Sequence, residues 1–324
     1  MSPSLPRSVR LLEVGPREGF QFEGIGKPDK IRLEDKARLI EMLSRVGLKA
    51  LQIVSFVNPR QVPQMADAEE ICRRLSPVPG VTYSGIYLND TGLRRALAAG
   101  NLKITGKVTL TASESFALRN QRRMLAQDFE MQRKMAALYR EHGYAVETGS
   151  VMAAFGCNYE GKVPLARLLE LVARLQEVAA EVDSTLRTVT LADTMGWANP
   201  EQIRRSVVAI RERWPELAIN LHLHDTRGLG IANVYAALIE GVDRFDTAVA
   251  GLGGCPFAGH RGAAGNVCTE EVVFLCRELG IATGIDLEAL IECARFAETI
   301  VGHPLPSSLL HARVTPVPAE PVAA

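Results

Sequence analysis

His222 and His224, in the run Asn220-Leu-His-Leu-His-Asp-Thr226, lie one residue apart. On an extended segment such a pair projects both imidazoles to one side, because side chains alternate across a strand. Two nitrogens so placed offer a divalent cation half of a ligand set; the same pattern also fits a strand carrying two hydrogen-bonded histidines. Glu18 in Gly15-Pro-Arg-Glu-Gly19 adds a hard oxygen, and Asn266 an amide oxygen. Glu18, His222, His224 and Asn266 together would suit Mg2+, Mn2+ or another divalent ion with positions left open for substrate and water. Taken singly, Glu18 also fits a surface-turn carboxylate, and Gly265-Asn266 an ordinary turn. Arg17 would set a permanent cation beside the metal, aimed at a developing oxyanion or enolate, or would simply pair with Glu18. Asp193 fits either a helix N-cap or an anchor for a metal-ligating histidine or arginine. Cys255, in a glycine-dense stretch from Ala250 to Asn266, could give or take a proton if its surroundings lower its pKa.

These residues need a scaffold that gathers them. Eight β-rich runs, Val9–Val14, Ala50–Ser55, Val81–Tyr87, Ile104–Leu110, Ala145–Met152, Thr188–Asp193, Ala218–His224 and Arg244–Val249, alternate with amphipathic helical runs. The helices are read at Leu33–Val46, Asp67–Leu75, Gly92–Ala99, Met124–His142, Pro164–Ala180, Glu201–Trp214 and Ile231–Glu240, with Thr269–Leu279 and Asp286–Val301 after the last strand. Such alternation predicts a parallel sheet with crossover helices, and eight units predict an α/β fold of the (β/α)8 TIM-barrel type with additional C-terminal helices. No G-x-G-x-x-G follows the first strand, which weighs against a dinucleotide fold. The expected organisation is one catalytic domain over 8–305 and a flexible tail over 306–324. Active sites of barrels lie at the carboxyl ends of their strands. Arg17, Glu18 and Gln21 follow strand one, Gln52 opens the polar end of strand two, Asp193 ends strand six, and His222 and His224 end strand seven. Every unusual polar cluster thus falls on one rim.

Composition narrows the function. The chain has 324 residues, 47% of them hydrophobic, with 37 Lys and Arg against 37 Asp and Glu. Zero formal net charge argues against a nucleic-acid binder. No apolar run reaches the roughly 18 residues of a membrane span, and the start lacks the apolar core of a secretory signal. The six cysteines include no C-x-x-C pair; a reduced, cytoplasmic protein is the expectation, with all but Cys255 as small core residues.

The combination resembles the hydroxymethylglutaryl-CoA lyase family of metal-dependent barrel lyases and Claisen-type synthases, from about Leu11 to Val301. The motifs are Val14-Gly-Pro-Arg-Glu-Gly19, Ser55-Phe-Val-Asn-Pro59, Val62-Pro-Gln-Met65, Gly156-Cys-Asn-Tyr-Glu-Gly-Lys162, Asp193-Thr194, His222-Leu-His-Asp-Thr226 and Gly251-Leu-Gly-Gly-Cys-Pro256. The resemblance implies retro-aldol cleavage of a 3-hydroxyacyl-CoA, with Glu18, His222, His224 and Asn266 on the metal and Arg17 as the catalytic arginine. Loss of the hydroxyl proton breaks the carbon–carbon bond, leaving a keto product and a thioester enolate whose oxygen Arg17 stabilises. Cys255, on a closing loop, would protonate that enolate or guard it from water. It also implies a homodimer or higher homo-oligomer, for which Val272–Leu279 is either a surface or core packing.

The chain departs from the family pattern in several places. Glu18 stands where the lyases usually carry Asp, a feature nearer the homocitrate-synthase branch, and Gln52 stands where they carry Glu. The loop from Cys255 to Asn266 is two residues longer than the pattern. Its His260 and Arg261 are either solvated or reach a distal carboxylate or a CoA phosphate. Strand five reads Glu147-Thr-Gly-Ser-Val-Met152 where the family tends to place Arg and Tyr against the acyl group, so the acyl pocket is expected to differ. The alternatives are a transferase that joins acetyl-CoA to a 2-oxo acid and a non-catalytic binding member of the fold.

Overall fold

The computed structural model describes residues 5–23, 31–254 and 264–312. Eight parallel strands form one curled sheet: β1 (Arg10–Glu13), β2 (Ala50–Ser55), β3 (Thr82–Ile86), β4 (Gly106–Thr111), β5 (Val146–Met152), β6 (Thr188–Ala192), β7 (Ala218–His222) and β8 (Arg244–Thr247). Their order, β3-β2-β1-β8-β7-β6-β5-β4, brings the first and last strands side by side, the closure expected of a (β/α)8 barrel. Helices α1 (Leu33–Arg45), α2 (Ala68–Arg74), α3 (Asp90–Ala99), α4 (Glu114–Gln121), α5 (Leu125–Glu141), α6 (Leu165–Ala180), α7 (Pro200–Arg213), α8 (Gly230–Ile239), α9 (Thr269–Glu278) and α10 (Leu287–Val301) accompany the strands. α6 shows why: Leu168, Leu171, Val172, Leu175 and Val178 recur at helical spacing and are buried, while charged residues take the other face. None of the described helices is long and apolar enough to cross a membrane.

Between β3 and β4 no ladder is formed among the described residues, and side chains seal the seam instead. The Tyr87 hydroxyl donates to Thr105 O and accepts from Thr105 N, each at 2.9 Å. Thr109 N donates to Gln132 Oε1 of α5 at 2.9 Å. Tyr139, also from α5, stacks edge-on against Tyr87 with centroids 6.1 Å apart. The peptide groups of β4 thereby find partners that a neighbouring strand would otherwise supply.

Several element boundaries differ from the sequence reading, and α4 was missed. α4 is short and weakly amphipathic; its local signal is the N-cap Ser113, which accepts from Phe116 N at 3.1 Å, followed by Glu114 in the first turn. β1 ends at Glu13, and Gly15–Gly19 forms a π-helical turn rather than continuing the strand. A two-residue hairpin pairs Gly156–Cys157 with Gly161–Lys162. Val272, Val273 and Cys276 of α9 are buried, so these residues serve as core. Leu305, Leu309 and Leu310 are also buried, extending ordered packing past residue 305.

The concave face is unusually polar for a barrel, whose interior is commonly filled by branched apolar side chains. β7 buries Ile219 and Leu221 and turns Asn220 and His222 to the other face. There Asn220 Nδ2 donates to Thr190 Oγ1 on β6 at 3.3 Å and to Asp246 Oδ1 on β8 at 2.9 Å.

Candidate metal centre

The π-helical turn after β1 carries Arg17 and Glu18 and is anchored from beneath by Glu13. Glu13 is fully buried; its Oε1 accepts from Gly15 N at 2.7 Å and Val249 N at 3.0 Å, and its Oε2 from Thr269 Oγ1 at 2.5 Å. One carboxylate therefore ties the Arg17–Glu18 turn to the loop after β8. Burial pushes its pKa up to about 7 against the pull of these donors.

Glu18 meets the histidine pair across the mouth. Its Oε1 lies 3.5 Å from His222 Nε2 and 3.4 Å from His224 Nε2, and the two Nε2 atoms are 3.3 Å apart. These are the separations that ligands keep around one ion held at about 2.1–2.3 Å. Asn266 adjoins the group: its backbone bridges that of His224, and it and Glu18 both flank Gly253. Asn266 Nδ2 donates to Leu252 O at 3.2 Å, which fixes the amide, while the buried Oδ1 has no hydrogen-bond partner among the described residues. A buried, unpartnered oxygen beside a carboxylate and two imidazoles is what a cation would satisfy. The donor set fits a divalent ion, and Glu18, His222 and His224 are a metal-capable cluster. Gly253 has φ +95°, and a Cβ there would stand 2.9 Å from Asn266 Nδ2, so only glycine permits this approach.

Sequence reading missed Asp246, although it shares the inward period of β8. Its Oδ2 lies 3.3 Å from His222 Nδ1, an arrangement that holds the imidazole with Nε2 facing Glu18 and His224. Burial opposes charge on His222, yet Glu18 and Asp246 outweigh it and raise the pKa to about 9. Burial also opposes ionisation of Glu18, but Arg17 and His222 hold its pKa well below the usual carboxylate range. Asp246 is lowered in the same way, burial being outweighed chiefly by His222.

Arg17 donates from Nε to Gln52 Oε1 at 2.7 Å and pairs through Nη2 with Glu18 Oε2 at 2.8 Å. Glu18 thus turns one oxygen to the histidines and the other to Arg17, so both sequence readings of Arg17, ion pair and cation at the centre, describe one geometry. Three of the five guanidinium N–H donors remain for a substrate oxygen. Gln52 acts here as an anchor of Arg17. Gln21 is half-buried in the helical turn Phe20–Glu23, one turn beyond Arg17.

Asp193 is fully buried and receives Trp197 N at 2.7 Å and Ala198 N at 3.1 Å on the turn leading into α7. The N-cap of α7 itself is Asn199, so Asp193 braces the turn just ahead of the cap. Burial raises its pKa to about 6, with Ala198 N and the charge of His224 acting against the rise. Arg227, also missed from sequence, donates to Met195 O at 2.7 Å, Gly196 O at 3.0 Å and Asn158 Oδ1 at 3.0 Å. It lies over the Trp197 ring and so joins the loops after β5, β6 and β7. Cys255, His260 and Arg261 lie outside the described residues.

Known proteins share this architecture over nearly the whole chain. A lyase of Pseudomonas aeruginosa, named as acting on 3-hydroxy-3-isohexenylglutaryl-CoA and hydroxymethylglutaryl-CoA, is 36% identical over 92% of this chain and 95% of its own. The crystal structure of the Bacillus subtilis HMG-CoA lyase superposes with a TM-score of 0.85 at 34% identity, covering 95% of this chain and 98% of that one. An HMG-CoA lyase from Acinetobacter baumannii, solved with coenzyme A and 3-methylmalate, gives 0.82 at 36% identity over 96% and 98%. With the HMGL-like family model matching residues 8–297, the chain belongs to the HMGL-like family.

Proposed function

We propose that this protein is a divalent-metal-dependent carbon–carbon lyase that cleaves 3-hydroxy-3-methylglutaryl-CoA, or a close 3-hydroxyacyl-CoA analogue. The products are acetyl-CoA, or its homologue, and a keto acid. The observation that carries the reading is the triangle of Glu18, His222 and His224, with the buried, unpartnered Asn266 Oδ1 on the adjoining loop and Arg17 paired to Glu18. The relatives named as hydroxymethylglutaryl-CoA lyases support it.

Mg2+ or Mn2+ held by Glu18, His222, His224 and Asn266 would act as a Lewis acid toward the substrate's oxygens. Asp246, 3.3 Å from His222 Nδ1, would accept its N–H and so direct Nε2 to the ion. When a base takes the proton of the substrate's hydroxyl, the oxygen forms the carbonyl of the keto acid and the carbon–carbon bond breaks. The electron pair passes into the thioester as an enolate. Arg17, fixed by Gln52 and Glu18, directs its remaining donors to the enolate oxygen, where charge-assisted hydrogen bonds lower the barrier. A proton delivered to the enolate carbon then completes acetyl-CoA, and Cys255 is the proposed donor. His260 and Arg261 are proposed to contact the substrate's tail, and Gln21 the acyl portion. A cytoplasmic homodimer, or a larger homo-oligomer, is the form proposed for the enzyme.

The test is turnover of a panel of 3-hydroxyacyl-CoAs with Mg2+ or Mn2+. Release of acetyl-CoA or a homologue, abolished by chelator, is the expected result. No cleavage of any member, with CoA formed from acetyl-CoA and a 2-oxo acid, would establish the condensing transferase instead. Cys255→Ala should leave metal affinity intact and lower turnover about tenfold or more; full activity would remove the thiol from the mechanism.

A further inference from the structure

Lys107 of β4 is a cation that the reaction described above does not use. Val108 and Leu110 are buried on one face of β4, which leaves Lys107 and Thr109 on the other. Strand register identifies that face. Lys107 pairs with Thr148 on β5 and Thr148 with Thr188 on β6, while Thr188 Oγ1 accepts from Arg244 of β8 at 3.1 Å across the concave side. Lys107 therefore points into the barrel. Its charge interacts with Asp246, Arg17 and Glu18, residues of the candidate metal centre. Its side chain is exposed, so a ligand can reach it.

Among the described residues the ammonium has no hydrogen bond or ion pair, whereas its neighbours are engaged. Arg17 is held by Glu18 and Gln52, Arg227 by three oxygens, and Arg244 by Thr188. Desolvation by the neighbouring protein holds its pKa below the ordinary lysine value against the pull of Asp246 and Glu18, and no anion is bonded to it among the described residues. On the adjoining strand Thr148 and Ser150 are short side chains without a charge.

We propose that Lys107 binds the free carboxylate of the acyl group, so that the site selects 3-hydroxyacyl thioesters bearing a second acidic function. The proposal rests on the lyase reading for its substrate, and it makes Lys107 a specificity-determining residue. Carbon–carbon cleavage by wild type, Lys107→Met and Lys107→Arg is compared on 3-hydroxy-3-methylglutaryl-CoA and on its carboxyl methyl ester. Lys107→Met should lose about 10–100-fold in kcat/KM on the acid, the loss of one charged hydrogen bond, chiefly through KM. Turnover of the ester should change little, and Lys107→Arg should keep most of the preference for the acid. Calorimetry of free 3-hydroxy-3-methylglutarate binding to the Mg2+-loaded protein should show a loss of the same size in Lys107→Met, with Mg2+ affinity unchanged. Equal losses on acid and ester, or an unchanged preference in Lys107→Met, would overturn the proposal. If wild type cleaves neither thioester, the lyase reading fails, and calorimetry decides the role of Lys107 alone. Equal dicarboxylate binding by wild type and Lys107→Met, or none by either, then overturns it.

Discussion

His222 in the metal-free centre holds a proton up to about pH 9, because Glu18 and Asp246 outweigh the burial that opposes its charge. A metal ion competes with that proton, so binding releases it. Apparent Mn2+ affinity should therefore climb about tenfold per pH unit as pH rises toward about 9 and level off above, where His222 is already neutral. Titrations across this range check the slope; a flat profile would place His222 off the metal. Asp246→Asn removes the carboxylate that orients the ring and should weaken metal binding about 10–100-fold while the fold persists. His222→Ala should abolish both metal binding and turnover, and metal-dependent activity retained in that variant would exclude it as an essential ligand. At this scale the sequence was informative where chemistry follows from spacing: His222 and His224 share a face because β7 is extended up to His222 and the chain leaves it for His224 without turning over. It was silent on Asp246 and Lys107, whose relevance depends on which strands become neighbours.

The π-helical turn Gly15–Gly19 is the element on which Arg17 and Glu18 depend, and it stands on a carboxylate with no solvent access. Glu13→Ala would leave Gly15 N and Val249 N without acceptors in a dry interior, each costing about 1–3 kcal/mol. Thermal unfolding of that variant should fall by several degrees, and its metal affinity should drop because the Glu18 turn loses its anchor. Unchanged melting and metal binding would show that water or another donor set substitutes for Glu13. The turn was legible as a motif and not as a shape. Glycine and proline mark a break in the strand, but the bonds that anchor the turn join Glu13 to Val249 and Thr269, far along the chain. Asp193 teaches the same lesson. Its position at a strand end fits a metal-side anchor or a cap equally well, and only the fold shows that it receives Trp197 N and Ala198 N on the turn ahead of the cap.

Across the whole molecule, the four candidate ligands come from residues 18, 222, 224 and 266, so a bound ion would link the beginning of the barrel to its last loops. Binding to the folded state alone stabilises it by about 2.7 kcal/mol at a hundredfold excess over Kd. Saturating Mg2+ or Mn2+ should therefore raise Tm by a few degrees, chelator should reverse the rise, and His222→Ala should show none. An equal rise in that variant would locate the ion elsewhere. The alternation of β-rich and amphipathic runs determined the barrel from sequence, because a parallel sheet needs crossover helices and side-chain periodicity reports both. It likewise determined that the polar clusters share one rim, since strand ends in a barrel lie together. The tertiary structure decided what those clusters do to one another. Only the register of β4, β5, β6 and β8 turns Lys107 inward, and only the return of the chain to Glu13 fixes the turn bearing Arg17. Hydrogen bonds and charge interactions act over a few ångströms, and which residues come within that distance is set by closing the sheet, not by separation along the chain.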